Sequence, residues 1–218
     1  MKMKKETGLI LALDVISREH ALSLAGRLRP YFDAIKIGYP LILAAGLGVV
    51  KEIASIAPVI ADLKVADIPN TNRLICQAAF GTGASGVIAQ AFPGKDSLLA
   101  CAERAAQHGA DLYVVTEMSH PGAEMFMAPQ AEEMARLAAE VGAAGVVAPA
   151  TRPERIRRIK SIIGERIIIS PGVGAQGGSA GAALEAGADY IIVGRSIYQA
   201  EDPEGEAKKL LSCLKLTE

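Results

Sequence analysis

The sequence predicts a (β/α)8 TIM barrel, an α/β fold formed as a single domain over residues 1–218. Three observations predict it. Short β-branched runs alternate with longer amphipathic stretches from end to end, the pattern of a parallel sheet wrapped by helices. Eight such runs occur, at 9–14, 34–38, 58–64, 86–90, 111–116, 145–148, 166–170 and 190–194. Charged and hydroxyl side chains collect at the C-terminal ends of these runs, where a barrel gathers its functional groups, whereas no linker, repeat of low complexity or charge block interrupts the series. A length of 218 residues suits one barrel of this kind.

The first run is apolar up to Asp14, which either faces a ligand at the rim or caps a helix starting near Ser17. The second places Lys36 in the middle of Ala34-Ile35-Lys36-Ile37-Gly38, as a functional ammonium or as a side chain snorkelling to solvent. The third, from Pro58, ends in the segment Asp62-Leu63-Lys64-Val65-Ala66-Asp67-Ile68-Pro69. The fourth ends in Gln90-Ala91 and is followed by Phe92-Pro93-Gly94. The fifth leads into Glu117-Met118-Ser119, with Ser119 a rim group or a turn residue. The sixth is apolar; the seventh ends at Ser170-Pro171 and the eighth at Gly194-Arg195. Gly83-Ala84-Ser85, Gly109-Ala110-Asp111, Gly142-Ala143-Ala144 and Gly187-Ala188-Asp189 each precede a run, as a glycine helix stop before a strand would.

The segment 62–69 is the most informative. Alternate side chains of a strand share a face, so Asp62 and Lys64 project together while Ala61, Leu63 and Val65 pack on the other side. A charge row inside an apolar strand is costly unless paired; it is either kept for chemistry or is a structural ion pair. After the seventh run, Gly172 to Gly177 matches G-x-G-x-x-G. A dinucleotide fingerprint would open the fold and be followed by an acid at the end of the next strand, but here that strand ends in Gly194-Arg195. The loops after strands 7 and 8 of a barrel are instead its usual phosphate site, and Arg195 adds a fork of donors. A loop so rich in glycine, carrying Gln176, is also suited to closing over a ligand.

Composition narrows the classes. Half the residues are apolar, the net charge is −1 and there is no Trp, which points away from a nucleic-acid surface and from disorder. No stretch reaches the ~20 apolar residues of a membrane span, and residues 9–13 are too short for a secretory core. The three cysteines, Cys76, Cys101 and Cys213, are odd in number and far apart, as expected of reduced thiols in a cytoplasm. His20 and His108 read as surface residues near helix ends, and His120 as a loop-shaping residue without a partner for acid–base work.

Over essentially its whole length the chain resembles the orotidine 5'-phosphate decarboxylases, most closely the archaeal type. The resemblance rests on Leu13-Asp14, Lys36-Ile37-Gly38, the segment 62–69, Thr116-Glu117-Met118-Ser119-His120-Pro121-Gly122, Ser170-Pro171-Gly172-Val173-Gly174-Ala175-Gln176, and Ile192-Val193-Gly194-Arg195-Ser196. It implies decarboxylation of orotidine 5'-monophosphate to UMP by a cytoplasmic homodimer with shared active sites, without metal or organic cofactor. It also implies roles. Lys64 would stabilise and protonate the C6 carbanion, with Asp62 beside the departing carboxylate. Lys36 and Asp67 would complete the charge row, Asp67 entering the neighbouring subunit's site with Ile68 and Thr71. Asp14 and Lys36 would hold the ribose, Ser119 the pyrimidine edge, Gln176 the base and phosphate, and Gly194 and Arg195 the phosphate, with Pro171 and Gly172 also binding the substrate. One departure stands out: Gln90 occupies the place where many relatives carry His.

Two rivals are weighed against this. A magnesium-dependent branch of the same superfamily, acting on keto-sugar phosphates, shares Asp-x-Lys-x-x-Asp but is expected to have a glutamate metal ligand where this chain has Lys36, whose ammonium repels Mg2+. A non-catalytic barrel that only binds a nucleotide phosphate would have no need of Lys64.

Overall fold

The computed structural model describes residues 2–215. Eight parallel strands, β1 (Leu9–Leu13), β2 (Ala34–Gly38), β3 (Val59–Val65), β4 (Gly86–Gln90), β5 (Asp111–Val115), β6 (Gly145–Val147), β7 (Ile167–Pro171) and β8 (Tyr190–Val193), close into a barrel in chain order. Each coincides with an expected run to within one residue at either end. The wrapping helices are α1 (Arg18–Leu28), α2 (Tyr39–Ala45), α3 (Gly48–Ala54), α4 (Pro69–Gly81), α5 (Lys95–Gln107), α6 (Ala123–Phe126), α7 (Ala131–Glu140), α8 (Pro153–Ile163), α9 (Ala180–Glu185), α10 (Arg195–Tyr198) and α11 (Pro203–Lys215). Among the described residues no helix is long and apolar enough to cross a membrane.

Both faces of the sheet are covered, so the strands read as continuous apolar runs. In β1, Leu9, Leu11 and Leu13 pack outward against helices, while Ile10 and Ala12 point into the barrel with Ile60, Ile88, Tyr113, Ile169 and Tyr190. The inner layer changes character towards the C-terminal rim. On β2 it runs from Ala34 to Lys36, and on β3 from Ile60 to Asp62 and Lys64. The barrel's apolar plug thus ends in a floor of charges at one mouth.

The glycine stops behave as expected: Gly83, Gly109, Gly142 and Gly187 all have positive φ, at 92°, 59°, 74° and 106°, following the end of a helix and standing two or three positions before the next strand starts. Gly145 has a different reason to be glycine. A β-carbon there would lie 2.2 Å from the Ile167 carbonyl oxygen on the paired strand.

The opposite mouth is closed by Asp33. Its carboxylate, 6% exposed, accepts from the backbone N–H groups of Glu6, Thr7 and Gly8 at 2.8–3.2 Å, tying the N-terminal segment beneath β1 and β2. Hydrogen bonds to a charged acceptor are worth more than neutral ones, and their loss strands buried donors. Asp33→Ala is expected to cost roughly 2–3 kcal/mol, lowering the thermal midpoint by about 5–10 °C in differential scanning calorimetry.

Candidate active site

The charged mouth of the barrel opens into a cavity of about 500 Å3 lined by the ends of β1, β2, β3, β7 and β8 and the loop after β5. Four side chains form its floor as an alternating row. Lys36 lies 3.6 Å from Asp14 and 3.0 Å from Asp62, and Lys64 reaches both oxygens of Asp62 at 2.8 and 2.9 Å. Lys36 and Asp62 are buried, whereas Asp14 and Lys64 face the opening. The snorkelling alternative for Lys36 therefore fails. So does the helix-cap alternative for Asp14: the α1 cap is Ser17, whose hydroxyl accepts from the His20 N–H at 3.2 Å.

Burial works against both inner charges, pushing the Lys36 ammonium down and the Asp62 carboxyl up. The facing charges more than reverse it. Asp62 and Asp14 hold Lys36 above its ordinary range, and Lys36 with Lys64 holds Asp62 below the usual carboxylate range. The buried pair is therefore ionised throughout the neutral range.

Lys64 is the one described non-glycine residue with positive φ, 43°. That left-handed conformation costs an L residue about 1–2 kcal/mol, and it coincides with a bulge. Ala61 and Val65 on β3 pair with Val87 and Ala89 on β4, so four steps on one strand match two on the other. An irregularity of this kind re-aims a side chain. The surplus is two residues, an even number, so the inward and outward alternation survives and Asp62 and Lys64 still meet. Tyr39, at the start of α2, braces the irregularity by donating its hydroxyl to the Leu63 carbonyl.

The rest of the cavity is split by character. Ile88, Val115, Val147 and Ile192 make an apolar wall from the barrel interior, and Met118, Ser119, Gln176 and Arg195 stand around the rim. Gln90, buried at the end of β4, has its amide nitrogen 3.9 Å from Met118 Sδ. The loop 172–178 is folded into a compact turn by Gly178 N–H to the Gly172 carbonyl, Gly174 N–H to the Gly178 carbonyl and Gly177 N–H to the Gly174 carbonyl. Gly172, at φ 104°, lies against Ser119, Thr151 and Gln176, each of which an added β-carbon would meet within about 3.3 Å.

Of the residues singled out in the sequence, Asp14, Lys36, Asp62, Lys64, Ser119, Pro171, Gly172, Gln176, Gly194 and Arg195 line this one cavity. Asp67, Ile68 and Thr71 do not. They precede and open α4, with Asp67 and Ile68 exposed, and the Asp67 carboxylate accepts from the Ile68 N–H at 2.7 Å instead of reaching Lys64. Val173 of the glycine motif also lines the cavity, as do Tyr39 and Tyr198, which no charge or motif marks in the sequence.

Residues 7–210 match the family model described as "Orotidine 5'-phosphate decarboxylase / HUMPS family". The chain is 59% identical over 209 residues to the orotidine 5'-phosphate decarboxylase of Methanococcoides burtonii, covering 95% of this chain and 97% of that protein. It is 47% identical to that of Pyrococcus furiosus, over 95% of this chain and 97% of the relative. Among solved structures it is similar to orotidine 5'-monophosphate decarboxylase from Methanocaldococcus jannaschii complexed with the inhibitor BMP, with a TM-score of 0.91, 44% identity, and coverage of 97% of this chain and 99% of that one. By sequence and by fold, the chain belongs to the orotidine 5'-phosphate decarboxylase / HUMPS family.

Proposed function

We propose that this chain decarboxylates orotidine 5'-monophosphate to UMP and CO2 in de novo pyrimidine biosynthesis, using neither metal nor organic cofactor. The observation that carries the reading is the Lys64 ammonium held by both oxygens of Asp62 beside the buried Lys36. When the C6–carboxylate bond breaks, its electron pair stays on C6, where no imine or thiazolium is available to take it up. A fixed ammonium in a water-poor site stabilises that charge without reorganising, and then supplies the proton that C6 requires. Asp62 holds Lys64 in place and stands next to the carboxylate that departs, and the apolar wall of Ile88, Val115 and Val147 keeps the local dielectric low. Asp14 and Lys36 take the ribose hydroxyls, Ser119 the pyrimidine edge, Pro171, Gly172 and Gln176 the base and phosphate, and Gly194 and Arg195 the phosphate. Holding the remote phosphate supplies binding energy that closes the glycine loop over the reacting centre.

The rival reading is the magnesium-dependent keto-sugar phosphate branch of the superfamily, and Lys36 discriminates. Lodged between Asp14 and Asp62, its ammonium occupies the place where a divalent cation would need a ligand. The purified protein is therefore expected to consume orotidine 5'-monophosphate and to leave a 3-keto-hexose 6-phosphate untouched in the presence of Mg2+. The opposite preference, measured by product chromatography, would overturn the assignment.

The working unit in this proposal is a homodimer. Asp67, Ile68 and Thr71 lie off their own cavity, and Ile68, Leu74, Phe92 and Leu99 expose apolar surface on or beside α4 and α5. Covering that surface with a second copy would bring Asp67 to the partner's Lys64. Three free thiols, two of them buried, support a reducing cytoplasm as the setting.

A further inference from the structure

We infer that Arg152 is a positioning residue for the base-binding side of the cavity, holding the Ser119 shelf in register; this rests on the substrate assigned above. Arg152 closes the connection between β6 and α8 and is remote from the charge row in sequence. One edge of its guanidinium serves two acceptors. Nε donates to Glu117 Oε1 at 2.6 Å, and Nη2 donates to the Met118 carbonyl, also at 2.6 Å. Glu117 is fully buried at the end of β5, with Arg155 Nε 3.6 Å from its second oxygen. A buried ion pair is weak evidence for stability, since an apolar pair of similar volume often serves as well. What this one achieves is geometric: it fixes the two residues immediately before Ser119.

The same short connection grips the other side of the cavity. Thr151 donates its hydroxyl to the Ser119 carbonyl at 3.3 Å, and Ala150 N–H donates to the Pro171 carbonyl at 2.8 Å. The Thr151 methyl also packs on Gly172. Residues 150–152 therefore touch both the Ser119 shelf and the root of the glycine loop, and Arg152 anchors them. A lysine would preserve a charge for Glu117, but it lacks the planar fork that reaches the Met118 carbonyl at the same time.

The test compares Arg152→Lys, Ser119→Ala and the double variant with the wild type. The readouts are KM and kcat for orotidine 5'-monophosphate, and calorimetric affinities for UMP and for ribose 5-phosphate. Loss of one positioned hydrogen bond predicts about tenfold weaker UMP binding in Arg152→Lys, with KM rising to match and ribose 5-phosphate affinity unchanged. The double variant should bind UMP no worse than the weaker single, because both changes act on one contact. Glu117→Gln/Arg152→Gln, which leaves no buried carboxylate without its Arg152 partner, should show the same loss and guards against a folding defect in the lysine variant. UMP affinity within about twofold of wild type in both Arg152 variants, equal weakening of UMP and ribose 5-phosphate, or multiplying effects in the double variant would each overturn the inference. Failure of the wild type itself to turn over orotidine 5'-monophosphate would instead refute the substrate assignment.

Discussion

Lys64→Ala is expected to lower kcat for orotidine 5'-monophosphate by at least about 10⁴-fold. Removing a preorganised charge from a developing anion costs about 10²–10³-fold, and removing a general acid costs another factor of about 10²–10⁴. Lys64 is assigned both roles, so the lower limits multiply. The fold should tolerate the change. The side chain is about one-third exposed, Asp62 keeps Lys36 at 3.0 Å, and the outward residues Ala61, Leu63 and Val65 still pack on the helices. Alanine is no better suited than lysine to φ 43°, so the backbone strain is unchanged. Circular dichroism should show the native spectrum while stopped-assay turnover disappears. Substantial residual turnover would remove Lys64 from the role of proton donor.

The second large effect is a rescue. On the proposed dimer, the Lys64→Ala and Asp67→Ala proteins should each be nearly inactive. Mixed by unfolding and refolding together, they should recover about a quarter of the wild-type activity per site, because half the dimers are hybrids and one of the two sites in each hybrid receives both intact groups. The expectation follows from the position of Asp67, exposed before α4 and outside the cavity that holds Lys64. If the mixture stays as inactive as its components, Asp67 does not complete a neighbour's site.

Much of this was legible in the sequence, for identifiable reasons. The strands announced themselves because a barrel strand is buried on both faces, and the recurring glycine stops marked where four of them began. Asp14, Lys36 and Asp62 were conspicuous because a charge inside an apolar run has few uses. The pairing of Asp62 with Lys64 followed from strand alternation, but the bulge beneath it did not. It left the pairing intact only because the surplus in β3 is two residues rather than one. Arg152 was out of reach. It stands in Thr151-Arg152-Pro153-Glu154-Arg155, which reads as a solvated helix start, and its partner Glu117 lies 35 residues earlier. Tyr39 at the start of α2, Tyr198 at the end of α10 and Val173 in the glycine loop enter the cavity through placements that no periodicity encodes. In the segment 62–69 the chain turns away after Val65 and leaves Asp67 outside its own subunit's row, the position from which the resemblance has it reach a neighbour's site.

The central claim is that the row Asp14, Lys36, Asp62 and Lys64 performs a decarboxylation with no metal. Its most direct test is to incubate the purified protein with orotidine 5'-monophosphate and excess EDTA and to follow the ultraviolet absorbance of the orotate ring. The account predicts steady loss of absorbance at a rate that added Mg2+ leaves unchanged. No loss, or loss only after Mg2+ is supplied, would contradict it.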